Sequence, residues 1–94
     1  MTLRADSTVL IDNEHVRVTR WHFAPGAATG WHRHEYHYVV VPLTDGKLRL
    51  VEADGSRYSE LKVGVPYFRE TGVEHDVVNA NDHEFTFIEI EMKH

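Results

Sequence analysis

No stretch of this 94-residue chain keeps apolar residues at three- and four-residue spacing for ten positions between helix caps, which argues against a helical core. Short segments rich in β-branched and aromatic residues recur instead at roughly ten-residue spacing, separated by turn-forming clusters, and that is the pattern of an all-β sandwich or barrel. About nine short strands are predicted, over residues 9–11, 16–23, 31–34, 38–43, 47–52, 57–63, 67–69, 74–80 and 85–92. Asp12-Asn13-Glu14, Pro25 to Gly30, Thr44-Asp45-Gly46, Asp54-Gly55 and Gly64 with Pro66 punctuate them. In the last segment Ile88, Ile90 and Met92 share one face, Phe85 and Phe87 point the other way, and Glu89 and Glu91 are read as outward. No repeat, linker or low-complexity tract divides the chain, so residues 1–94 are expected to form one domain.

Charge and composition narrow the function classes. Fifteen acidic residues against ten basic ones give a formal charge of −5, and the basic residues form no stripe, so nucleic acid is not an expected partner. The longest apolar run, residues 39–43, is too short to span a membrane, and residues 1–11 lack the apolar stretch of a signal peptide; a cytoplasmic protein is expected. With no cysteine, any metal must be held by nitrogen and oxygen. Segments 9–11 and 16–23 are apolar on more than one face, and a small domain gains from covering them, which predicts a homodimer.

Eight histidines remain to be explained. His32 and His34 stand two apart in a strand context, so both rings project from one face and can converge on one ion. Taken alone, such a pair is a weak signal, more often a feature of a solvated strand than a metal site. His22 reads as a surface or partner-facing residue, and His15, His83 and His94 as solvated. Trp31, Tyr36 and Phe68 are candidates for a cavity mouth, with core packing as the plainer reading. Asp76, next to His75, points to the opposite strand face and reads as solvated, although a carboxylate there could also orient an imidazole.

The neighbourhood of the pair carries more. Gly26, five residues, His32-x-His34 and then Gly46 match the spacing of the first cupin motif; Gly64, five residues, Glu70-x-Gly72, His75 and Asn79 match the second. On residues 26–46 and 64–79 the chain resembles the cupin superfamily, and the stretch GWHRHEYHYVVVPLTDG is similar to small stand-alone cupins, some of them assigned to β-alanine degradation. The resemblance implies a single jelly-roll β-barrel of about nine strands. It implies a divalent ion (Fe, Mn, Ni or Zn) on His32, His34 and His75.

Two departures stand out. Glu70 replaces the proline of motif two, a loop change. The glutamate that completes motif one is missing, its place falling on Tyr38 or Val39, so the fourth ligand is left open between Glu35, His37, Tyr38 and none. Three neutral imidazoles would leave the ion's charge uncompensated, which favours a small anionic ligand. Two functions follow: a metal enzyme, dioxygenase-like by resemblance to three-histidine thiol dioxygenases and with His37 or Tyr36 as acid–base candidates, or a metabolite-binding module with a structural metal or none. Metal occupancy is expected to fall below about pH 6.5, where a free imidazole protonates.

Overall fold

A computed structural model describes residues 3–93. Nine strands follow one another: β1 (Asp6–Asp12), β2 (Val16–Phe23), β3 (His32–Arg33), β4 (His37–Pro42), β5 (Gly46–Glu52), β6 (Gly55–Leu61), β7 (Tyr67–Arg69), β8 (Glu74–Asn79) and β9 (Phe85–Met92). The described residues contain no helix, and none is therefore long and apolar enough to cross a membrane. Two antiparallel sheets, ordered β1-β2-β9-β4-β7 and β3-β8-β5-β6, form the expected jelly roll. β1 runs further than predicted, from Asp6, and β3 is only two residues long. His34 nevertheless stays tied to the loop before β8, its N–H donating to Val73 and its carbonyl accepting from Gly72, both at 2.8 Å.

Strand register sorts the inner surface by polarity. Cross-strand partners on β2 and β9 run Phe23 with Phe85, Trp21 with Phe87, Thr19 with Glu89 and Arg17 with Glu91. Since strand side chains alternate between faces, all eight belong to the inner side. One end of the barrel is therefore packed with phenyl rings and the other is polar. Phe23 and Phe85 are fully buried, and Leu48, Leu50, Leu61, Val40 and Val77 close around them.

The same alternation corrects the reading of Glu89 and Glu91 as outward. Residues two apart share a face, so these carboxylates follow Phe85 and Phe87 inward; Glu89 is 8% exposed, while Ile88 and Ile90 are only half-buried on the outer side. Val39 likewise points out of the barrel, between Phe68 and Ile90, and it is Tyr38 and Val40 that face in.

The apolar end is sealed by one amide. Asn79, the last residue of motif two, is buried and donates from Nδ2 to the carbonyls of Ala24 (3.2 Å) and His83 (2.9 Å). Its Oδ1 accepts from the Asn81 backbone N–H at 3.0 Å. Asn81 in turn lies against Gly46, where a Cβ would stand 2.7 Å from its Oδ1, so a side chain at the start of β5 would displace this amide. At the opposite edge β1 is exposed along its whole length, with Val9, Leu10 and Ile11 all turned to solvent around a register shift.

Candidate metal centre

His32 on β3 and His75 on β8 are direct cross-strand partners, and His34 follows His32 by one side-chain period. The three expected residues come together at the polar end: His34 Nε2 lies 3.0 Å from His32 Nε2 and 3.1 Å from His75 Nε2. His34 and His75 are 5% and 4% exposed. The arrangement has a hydrogen-bonding conflict. His32 Nδ1–H donates to the Gly30 carbonyl at 2.9 Å, and a carbonyl only accepts, so His32 Nε2 carries a lone pair. His34 Nε2 offers either one proton or one lone pair and cannot make both of its short contacts as linear hydrogen bonds between neutral rings.

A cation where the three lone pairs meet removes that conflict. Bonds of about 2.0–2.1 Å to one ion, roughly at right angles, place nitrogens about 2.9 Å apart, close to the spacing found. His75 Nδ1 is buried with no partner, so no hydrogen bond from outside the cluster orients that ring. The donor set therefore fits a divalent ion, and the ligand-bearing nitrogens of all three histidines lie within 4.8 Å of one another.

Behind the cluster, Asp76 does more than face solvent. Its Oδ1 accepts the Gly30 N–H at 3.0 Å, fixing the residue whose carbonyl orients His32. Gly30 has φ +87°, a conformation side chains oppose, and the Arg4 guanidinium packs 3.0 Å from where its Cβ would be. Thr29 Oγ1 ties the same loop to β8 by accepting the Val77 N–H at 3.1 Å. The chain of contacts from Asp76 through Gly30 to His32 selects the tautomer that leaves Nε2 free.

Of the proposed fourth ligands, Glu35 is exposed and His37 is turned away, its Nδ1 accepting the Thr71 N–H at 3.0 Å. Tyr38 does occupy the inward position, its ring stacked on His34 with centroids 3.8 Å apart. Its hydroxyl is buried without a partner, and burial pushes its pKa far above the usual phenol value, so it stays a neutral phenol. Sequence reasoning missed the carboxylate that is there. Glu89 and Glu91 place oxygens within 4.8 Å of each other and of a His34 ring nitrogen, and the period-two pattern through Phe85 and Phe87 was the signal for it. Burial raises the Glu89 pKa to about 7, with the neighbouring charge of Glu91 adding to the effect. The buried Trp21 indole N–H makes no well-formed hydrogen bond, yet stands near enough to Glu89 to favour its charged form.

Two connected spaces serve this cluster. The inner one, of about 10 Å³, lies among the histidines, Tyr38, Tyr67 and Glu89, and has room for one water or ion. Above it a vestibule of about 390 Å³ is bounded by Arg4, Arg17, Trp31, Arg33, Glu89 and Glu91. Arg17 Nε is paired with Glu91 at 3.0 Å; among the described residues neither Arg4 nor Arg33 has a carboxylate partner. Trp31 thus does line the mouth. Phe68 packs on His37 outside it, and Tyr36 lies beside Arg17 without lining either space. His22 sits apart, between Thr86 and Glu84, both at 2.8 Å. His15 and His83 are exposed, and His94 lies outside the described residues.

Known proteins resemble this chain along nearly its whole length. The sequence profile of Cupin_2, described as Cupin domain, matches residues 19–91. The β-alanine degradation protein BauB of Pseudomonas aeruginosa is 56% identical over 90 residues, covering 96% of this chain and 95% of that protein. A cupin domain from Bordetella pertussis Tohama I, crystallised at 1.80 Å resolution, is 54% identical and superposes with a TM-score of 0.98 over 100% of this chain and 98% of that one. The polyketide cyclase RemF from Streptomyces resistomycificus, 22% identical with a TM-score of 0.74 over 99% of this chain and 70% of its own, shares the fold.

Burial also revises the expected pH response. It lowers the His34 pKa to about 4 and that of His75 to about 3, with the charge of His32 contributing to both. These two imidazoles therefore stay neutral well below pH 6.5. In the metal-free protein the unfolded chain takes up protons at His34 and His75 below their ordinary 6.5, while the fold does not. Their contribution is present above that pH and is lost as pH falls. Glu89 works oppositely: folded it keeps a proton up to about 7 that the unfolded chain releases near 4.5, so it costs stability as pH rises between those values. Two histidines outweigh one carboxyl. Urea unfolding of chelator-treated protein should show stability rising from pH 5 to pH 6.5, and more steeply in Glu89→Gln. A flat profile in both proteins would contradict the assigned burial.

Proposed function

The chain belongs to the cupin family, and from that premise we propose that it is a metal-dependent enzyme in which His32, His34 and His75 hold one divalent ion and the vestibule receives a small carboxylate-bearing molecule. The observation that carries this reading is the meeting of three Nε2 atoms whose short contacts neutral imidazoles cannot all satisfy as hydrogen bonds. When bound, the ion (Fe, Mn, Ni or Zn) supplies Lewis-acid chemistry, or dioxygen chemistry of the dioxygenase type if it is iron. The chain's own residues do the rest. Asp76 and Gly30 hold His32 in its binding tautomer, and Tyr38 stacks against His34 to fix that ring. Arg4 and Arg33, which line the vestibule and have no carboxylate partner among the described residues, support an anionic ligand. The name of the BauB relative supports a molecule met in the breakdown of β-alanine.

Elemental analysis of protein purified without a histidine tag tests the ligand set. Wild type should carry about one ion per chain, and His32→Ala, His34→Ala and His75→Ala should each lose most of it. His22→Ala and His83→Ala should retain it. Normal metal content in His75→Ala would overturn the site.

The exposed edge strand β1 supports a homodimer. Val9, Leu10 and Ile11 are 55%, 46% and 51% exposed on a strand with one free side, a surface that invites a second strand. Light scattering at micromolar concentration should give twice the monomer mass, and Leu10→Lys with Ile11→Lys should halve it. A stable wild-type monomer refutes the assignment.

A further inference from the structure

The vestibule is charged in an uneven way that the three histidines do not account for. On the β9 wall Glu89 and Glu91 stand with oxygens within 4.8 Å of one another. The one guanidinium beside them, Arg17, reaches Glu91 through a single Nε contact of 3.0 Å. Glu89 is only 8% exposed and borders both the inner space and the vestibule, with the Trp21 indole near enough to favour its charged form. A buried carboxylate that shares its nearest guanidinium with a second carboxylate is incompletely compensated, and a cation brought by a ligand would offset the cost of its charge. Trp21 and Trp31 line the same space, and indole faces attract ammonium groups. The other wall carries the opposite charge on Arg4 and Arg33, neither neutralised by a carboxylate among the described residues.

We propose that the vestibule selects a short zwitterion, an amino acid whose ammonium group is received by Glu89 and whose carboxylate faces Arg4 and Arg33. The assignment rests on the vestibule being the ligand chamber; it adds that the ligand keeps a cationic nitrogen. A volume of about 390 Å³ holds a molecule of a few carbons and sits at the low end for small-molecule sites. Glu89 acts as a specificity residue, with Glu91 held in place by Arg17.

Calorimetric titration tests this with glycine, β-alanine and 4-aminobutyrate against acetate, propionate and butyrate, and with propylamine as the amine-only control. Metal-loaded and chelator-treated protein are both titrated. At least one amino acid should bind at least about tenfold more tightly than its matched acid and than propylamine. Glu89→Gln should erase the advantage over the acid while keeping the acid's affinity and the metal content. Arg33→Gln should weaken acids and amino acids together. Equal binding of each matched pair to wild type, no binding of any amino acid, or an undiminished preference in Glu89→Gln would overturn the proposal. So would a second metal ion per chain that disappears in Glu89→Gln, since the carboxylate would then serve a metal. Loss of the three-histidine reading shows separately, as protein that takes up no metal at all.

Discussion

His34 Nε2, held 3.0 Å from one imidazole nitrogen and 3.1 Å from another, is the contact that the surrounding structure serves. β3 and β8 bring His32 opposite His75, and backbone pairing with Val73 and Gly72 keeps His34 in line after β3 has ended. Tyr38 covers one ring face, and Asp76 acts through Gly30 to orient another ring. Remove the reason for three lone pairs to meet and the arrangement becomes a buried polar cluster with a built-in hydrogen-bond conflict.

The barrel can carry such a cluster because its two ends are made differently. Phe23, Phe85 and Phe87 with Leu48 and Leu50 supply apolar burial at one end, and Asn79 closes the loops there with several hydrogen bonds. The polar end is thereby free to hold histidines, a buried carboxyl and arginines. Its lining carries charges of both signs, Glu89 and Glu91 on β9 with Arg17 paired to Glu91, and Arg4 and Arg33 contributed from outside those strands, which is the basis of the proposed selection by charge placement.

Much of this was legible in the residues. Turn clusters at regular intervals and the lack of helical spacing led to nine strands, and motif spacing led to His32, His34 and His75, which the fold brings together. Glu89 was misread because its acidic character was given more weight than its period: residues 85, 87, 89 and 91 share a face whatever their polarity. Val39 was weighed for a vacant ligand position by counting, whereas strand parity turns it outward and Tyr38 inward. Asp76 could not be placed from sequence, since its role depends on a loop 46 residues earlier in the chain meeting β8. The depressed pKa values of His34 and His75 depend in the same way on burial that spacing alone does not reveal.

X-ray absorption spectroscopy of the metal-loaded protein tests the central claim most directly, because it reads the ligands around the ion. Three imidazole nitrogens at about 2.0–2.2 Å, with the outer-shell scattering of three rings and loss of one ring's contribution in His75→Gln, are expected. A site with fewer than three imidazoles, or one whose spectrum is unchanged in His75→Gln, would contradict it.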